Sequence, residues 1–174
     1  MSLTLLRHAP PHQKYHQKYL GWSDVDIDLG LFDRSKTEDL RKQTFDYVFS
    51  SDLKRCTQTV AEIGFSFHVD RRLREVAFKE KIELKSFLEI EKLPCFKEEY
   101  LKSESAWFDY VAKESFDEYA DRIKSFISVL NLEKNILICS HKGTINMILQ
   151  LFGESQIDLE YLQNYTLKCY DVLH

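Results

Sequence analysis

The stretch Asn135-Ile136-Leu137-Ile138-Cys139-Ser140-His141-Lys142-Gly143 decides the fold. Its unbroken apolar run, with β-branched Ile136 and Ile138, predicts a strand buried on both faces. The run stops at two polar residues, and Thr144 to Leu151 then carries helical spacing up to a stop at Gly153. A buried strand passing through a short polar joint into a helix is the repeating step of an α/β layer.

Working outward, Leu3 to Leu6 is a second short apolar run, followed by Arg7-His8-Ala9-Pro10-Pro11. The two prolines exclude a helix there and force a loop. Tyr47-Val48-Phe49 predicts a strand, and Ser50-Ser51-Asp52 reads as the N-cap region of a helix from Leu53 to Ile63. Phe65 to Val69 and Leu167 to Leu173 predict two further strands. Between Ser115 and Leu130, Phe116, Tyr119, Ile123, Phe126 and Ile127 recur at helical intervals, an amphipathic helix. The stretch Glu83 to Lys113, rich in Glu, Lys and aromatics and broken at Pro94, predicts short helices. The alternation predicts an α/β three-layer sandwich, a mostly parallel central sheet with helices on both faces. The whole chain, 1–174, reads as a single domain with a short helical lid insertion over roughly 76–113.

Composition narrows the function. A chain of 174 residues, 44% hydrophobic and 30% charged, is long enough to bury a core unaided. The net charge of -4 gives no global reason to expect nucleic acid or an anionic membrane as partner. Anion recognition must therefore come from a few local cations. Cys56, Cys95, Cys139 and Cys169 form no CxxC pair and sit in mostly apolar surroundings, which predicts free buried thiols in a reducing compartment. No apolar run approaches a membrane span, and the expected location is cytoplasmic.

In parallel α/β sheets, functional groups gather beyond the carboxyl ends of the strands. His8 and His141 both stand there. A neutral imidazole can attack phosphorus, which makes His8 the nucleophile candidate. Arg7 and Arg55 offer forked donors matched to phosphate oxygens, and His141 offers a third cation at a helix start. Glu75 can protonate a leaving oxygen if its surroundings raise its pKa above about 4.3. His8, His12 and His16 recur at intervals of four, which on a helix would stack three imidazoles around zinc. Pro10 and Pro11 interrupt that helix, so no metal or other cofactor is expected.

These residues fall into five segments that resemble the motifs of the histidine phosphatase (phosphoglycerate mutase-like) superfamily. Leu6-Arg7-His8-Ala9 is similar to its RHG/RHA signature, and Ser50 to Thr59 to its SSxLxRxxxT segment. Leu73-Arg74-Glu75 resembles the segment bearing the general acid, and Cys139-Ser140-His141-Lys142-Gly143 the second-histidine motif. Gly21-Trp22-Ser23-Asp24-Val25-Asp26-Ile27 resembles the GxxDxxL loop. The resemblance implies that His8 takes the phosphoryl group, that Arg7, Arg55 and His141 hold its oxygens, and that Glu75 serves as acid and then base. Phosphate or substrate contacts are also expected from Gly21, Trp22, Ser23 and Lys142. Pro10-Pro11 stands where the family often has a hydroxyl, and Lys142 and Lys79 where smaller residues are usual.

The implied activity is hydrolysis of a small phosphorylated metabolite without a metal. The Gly21 to Ile27 loop, the Glu75 segment and the Glu114-Ser115-Phe116 helix start most resemble the branch containing α-ribazole phosphatase, and the short lid favours hydrolysis over transfer. Phosphoglycerate mutase-type transfer and non-catalytic binding of a phosphorylated ligand are the competing expectations. The expected partner is a small phosphate ester, with no nucleic acid or membrane, and the sequence leaves a homodimer open. Trp22 could stack on a substrate or merely pack. Phe96, Tyr100, Trp107 and Phe108 are the expected selectors of substrate.

Overall fold

The computed structural model describes residues 1–168. Its centre is a five-stranded sheet of β1 (Ser2–Arg7), β2 (Tyr47–Ser50), β3 (His68–Val69), β4 (Asn135–Ser140) and β5 (Asn164–Lys168), in the order β3-β2-β4-β1-β5. β1, β2 and β3 join the parallel part of the sheet through β4 and β2, and β5 closes the edge antiparallel to β1. The expected third strand is real only at its last two residues. The expected last strand begins earlier, at Asn164, and its remainder from residue 169 lies outside the described residues.

Helices cover both faces because β1 and β4 are apolar on both. Leu3, Leu5, Ile136 and Ile138 pack under α5 (Phe116–Ile127) and α6 (Lys142–Leu151), through Tyr119, Ile123, Phe126, Ile145 and Ile148. The alternate residues Leu6, Leu137 and Cys139 meet α1 (Glu38–Arg41) and α2 (Lys54–Ile63) through Leu40, Cys56, Val60 and Ile63. This period-two division is what a doubly covered strand requires. Truncating a fully buried side chain such as Ile123 would cost about 2–5 kcal/mol.

The ends of the helices follow local chemistry. Ser115 and Glu118 form a reciprocal capping box at α5, and Gly64, at φ +99°, ends α2 in the left-handed conformation. The expected cap of α2 from Ser50-Ser51-Asp52 is corrected: the N–H of Lys54 donates instead to Asp24 Oδ1 at 2.7 Å, 30 residues away. The helix start is thus tied to the Gly21–Ile27 loop, a tie repeated where Gln58 joins Asp26 and the Ile27 N–H.

Segment 76–113 folds as short helices, α3 (Phe87–Ile90) and α4 (Glu104–Val111), around a 3-10 turn at Glu98–Leu101. Ile82, Ile90, Tyr110 and Val111 give it a core of its own. Cys56 and Cys139 are buried free thiols, whereas Cys95 is exposed, because Pro94 places it on a turn at the rim of this segment. Among the described residues no helix is long and apolar enough to cross a membrane.

Candidate active site

The register of β1 on β4 builds the site. Arg7 pairs with Ser140, so His8 and His141 leave adjacent strands side by side, and their ring centroids stand 5.2 Å apart. A cavity of about 690 Å³ opens over them. Arg7, His8, Gly21, Arg55, Glu75, His141 and Lys142 all line it, whereas Trp22 and Ser23 do not.

His8 is 4% exposed, and its Nδ1 lies 2.7 Å from the Ala9 carbonyl. A carbonyl only accepts, so Nδ1 carries the proton and Nε2 keeps its lone pair. Nε2 has no hydrogen-bond partner among the described residues, and the residue lines the cavity. Burial, with Arg55 and then Arg7 adding to it, holds the imidazole well below its ordinary pKa and keeps it neutral. The loop is fixed by Thr59, whose hydroxyl accepts from the Ala9 N–H at 2.8 Å and donates to the Arg55 carbonyl at 2.5 Å.

Arg55 is 1% exposed. Its Nη1 and Nη2 donate to the carbonyls of Ser23 and Gly21, at 2.8 and 2.7 Å, and its Nε to His141 Nδ1 at 3.1 Å. The Gly21 loop therefore orients the arginine. Of the five guanidinium N–H groups, two remain for an anion. Gly21 sits at φ +44°, and a Cβ there would run into Glu83 and Phe78. The Ser23 hydroxyl and N–H both donate to Glu83 Oε1, so this serine serves the loop.

Arg7 donates to the Leu159 carbonyl at 2.6 Å, and its guanidinium carbon lies 4.1 Å from the centroid of the Tyr161 ring. Among the described residues its buried Nε has no hydrogen-bond partner. An uncompensated donor costs about 1–3 kcal/mol, which is tolerated most readily where function requires it. The expectation of His141 as a third cation is corrected. Burial, then Arg55 and His8, push its pKa well down, and both ring nitrogens are engaged. Nδ1 accepts from Arg55, so Nε2 carries the proton and donates to Ser51 Oγ at 3.0 Å.

Glu75 lines the same cavity. Its Oε2 accepts from the Gly143 N–H at 3.1 Å, at the first turn of α6, and its Oε1 accepts from the Val76 N–H. A Cβ on Gly143 would collide with this carboxyl group, which explains the glycine. The backbone of Glu75 is held by Arg122, which the sequence reading did not single out. Arg122 donates to the carbonyls of Arg72, Arg74 and Glu75 and is clamped by Glu114, whose Oε1 also takes the Ala77 N–H. Trp22 belongs to the same frame: its indole N–H donates to the Glu75 carbonyl at 2.8 Å, and Arg74 lies over its ring.

Lys142 is at the cavity edge, paired with Asp158. Arg72 and Arg74 are paired with Asp70 and Asp52. His12 and His16 do not stack with His8: His12 Nδ1 accepts the Lys14 N–H, and His16 Nε2 donates to the Pro11 carbonyl. Of the four expected selectors only Trp107 lines the cavity. Phe96 and Tyr100 pack inside segment 76–113, and Phe108 faces the α5 side of the core.

Residues 3–171 match the sequence profile of the Histidine phosphatase superfamily (branch 1). The chain belongs to that superfamily. The fold agrees. A Thermus thermophilus protein, TTHB049, superposes with TM-score 0.75 at 23% identity, over 98% of this chain and 95% of that one. A phosphoglycerate mutase from the same organism gives 0.70 at 20% identity, over 98% and 94%. A phosphoserine phosphatase from Entamoeba histolytica, in complex with 3-phosphoglyceric acid, gives 0.72 at 20% identity, over 95% and 89%. No curated protein matches the sequence. Like these histidine phosphatase structures, the chain is an α/β fold on a mostly parallel sheet.

Proposed function

We propose that this histidine phosphatase superfamily member is a metal-independent phosphomonoesterase that hydrolyses a small phosphorylated metabolite through a phosphohistidine on His8. One observation carries the reading: His8 is a buried neutral imidazole, its Nδ1 proton tied to the Ala9 carbonyl and its Nε2 without a partner among the described residues, lining one cavity with Arg7 and Arg55. A nucleophile needs the lone pair, and a phosphoryl dianion needs the two cations.

In the first step Nε2 attacks phosphorus as the ester P–O bond breaks, and Glu75 in its acid form gives its proton to the leaving oxygen. The phosphorylated ring is cationic, and the Nδ1–H bond to Ala9 stabilises it. The two free N–H groups of Arg55 and those of Arg7 take the charge that spreads over the phosphoryl oxygens. In the second step the Glu75 carboxylate accepts a proton from water, whose oxygen attacks phosphorus. The N–P bond breaks, inorganic phosphate leaves, and both residues return to their starting states.

His141 enters as a neutral partner that fixes Arg55. Segment 76–113 serves as the lid, and a lid this short favours water as the second acceptor over retention of the phosphoryl group. α-Ribazole phosphate is one candidate substrate. Free Cys56 and Cys139 suit a reducing compartment, which supports action in the cytoplasm.

The test is release of inorganic phosphate from a panel that includes p-nitrophenyl phosphate, α-ribazole phosphate and 3-phosphoglycerate, in excess EDTA. Turnover that survives EDTA and disappears in His8→Ala is the expected result. Turnover abolished by EDTA, or retained by His8→Ala, would contradict the proposal.

A further inference from the structure

The same cavity has a second, chemically different half. Besides Arg55 and Glu75, its lining includes Tyr19, Phe78, Phe87 and Trp107. The rings contact one another in tilted and edge-on pairs: Tyr19 with Phe78 at 5.1 Å, Tyr19 with Trp107 at 6.1 Å, and Phe87 with Trp107 at 5.7 Å. The wall is built from two distant parts of the chain that are bonded together. The Tyr19 N–H donates to the Lys85 carbonyl and the Leu84 N–H to the Tyr19 carbonyl, with Leu84 at φ 62°. A bulky residue held in the left-handed region is a conformation the surrounding contacts must impose.

Tyr19, Phe78 and Trp107 also pack on the small core of segment 76–113, so part of this surface is explained by folding alone. Phe87 is not. It is 38% exposed and opens α3, with its ring against Trp107 and the cavity. An exposed aromatic beside a phosphoryl site is an apolar contact waiting for the rest of an ester.

The charges point the same way. If Arg7 and Arg55 hold the phosphoryl group, a second anion on the substrate would have to face Lys18 or Lys142. Both are already paired with carboxylates, Lys18 with Glu89 and Lys142 with Asp158. A compact ester carrying a carboxylate as a second anionic group, such as a phosphoglycerate, would find no unpaired cation there among the described residues.

We infer that the substrates are phosphomonoesters of uncharged alcohols carrying an aromatic ring, the phosphoryl group on His8 and the ring against Phe87 and Trp107. This inference rests on the reading of His8, Arg7 and Arg55 as the phosphoryl site.

Binding and turnover are measured separately, with 2-phenylethyl phosphate, glycerol 3-phosphate and 3-phosphoglycerate as probes, all esters of aliphatic alcohols. Calorimetric titration of the His8→Ala protein is expected to give 2-phenylethyl phosphate about tenfold tighter binding than glycerol 3-phosphate. Phe87→Ala in that background is expected to shrink the preference about three- to tenfold. Equal affinities, no detectable binding of 2-phenylethyl phosphate, tightest binding of 3-phosphoglycerate, or a preference unmoved by Phe87→Ala would overturn the inference. In the His8-containing protein, hydrolysis should show the same order. A binding preference without turnover of any probe would leave the aromatic site standing and sink the hydrolase reading instead.

Discussion

Arg55 donates from Nε to Nδ1 of His141 at 3.1 Å, so the two groups at the back of the cavity act as a cation held by a neutral ring. The arrangement needs a fork: two N–H groups grip the Gly21 and Ser23 carbonyls, one grips His141, and two remain. Lysine has a single ammonium and cannot satisfy all three. Arg55→Lys should therefore lower kcat/KM about 10²-fold or more and destabilise the fold by about 2–3 kcal/mol. Steady-state kinetics and urea unfolding check the two effects separately.

Gly143 sets two effects against each other. Alanine in a helix ordinarily gains up to about 1 kcal/mol over glycine. Here the added Cβ collides with the Glu75 carboxyl group. Gly143→Ala should leave the melting temperature nearly unchanged while displacing Glu75, and a displacement of about 1 Å can cost about 10²-fold in rate. A thermal melt beside a kcat measurement decides it. Retained kcat would show that Glu75 is free to move without loss.

Arg122 does not line the cavity, yet it donates to the Glu75 carbonyl at 2.9 Å and pairs with Glu114. It is a positioning residue. Arg122→Met should lower kcat while KM changes little, and cost about 1–3 kcal/mol of stability, since the pair is mostly buried. Arg122→Lys should recover part of kcat. Combining Arg122→Met with Glu114→Gln should be markedly less than additive, because the two act as one unit.

Stability should depend on pH through the two histidines. Both His8 and His141 are held neutral in the fold, His8 by burial with Arg55 and Arg7, His141 by burial with Arg55 and His8. In the unfolded chain they protonate near pH 6.5. The unfolded state thus binds more protons below that pH, and stability falls as pH drops from about 6.5 toward the depressed folded values. His8→Gln should flatten that slope in urea unfolding at a series of pH values. The acid limb of kcat/KM should likewise lie below pH 6.5, since His8 stays neutral there.

Much of the site could be read from sequence because it depends on local order. A buried strand followed at once by histidine occurs at Leu6 to His8 and at Cys139 to His141, and parallel pairing then brings the two rings together. Arg55 could be read for the same reason, as the second residue of a helix that starts at the same end of the sheet. The rest depends on long-range geometry that spacing does not encode. Asp24 caps a helix 30 residues away, and Arg122 reaches Glu75 across 47. Tyr161 comes under Arg7 only because the chain returns along β1. Trp22 stands in a recognisable loop, but its side chain turns to the back of Glu75. Cys95 looked buried because its neighbours are apolar, while the Pro94 turn lifts it to the surface.

The central claim is that His8 carries the phosphoryl group, and trapping that species tests it most directly. The Glu75→Gln protein, slowed in the second step, would be mixed with p-nitrophenyl phosphate, quenched in alkali to preserve the N–P bond, and digested for mass spectrometry. The account predicts one added phosphoryl group on the peptide containing His8, absent from the His8→Ala control. Turnover by the unmodified protein, with the phosphoryl group on another residue or on none in the trapped protein, would contradict it.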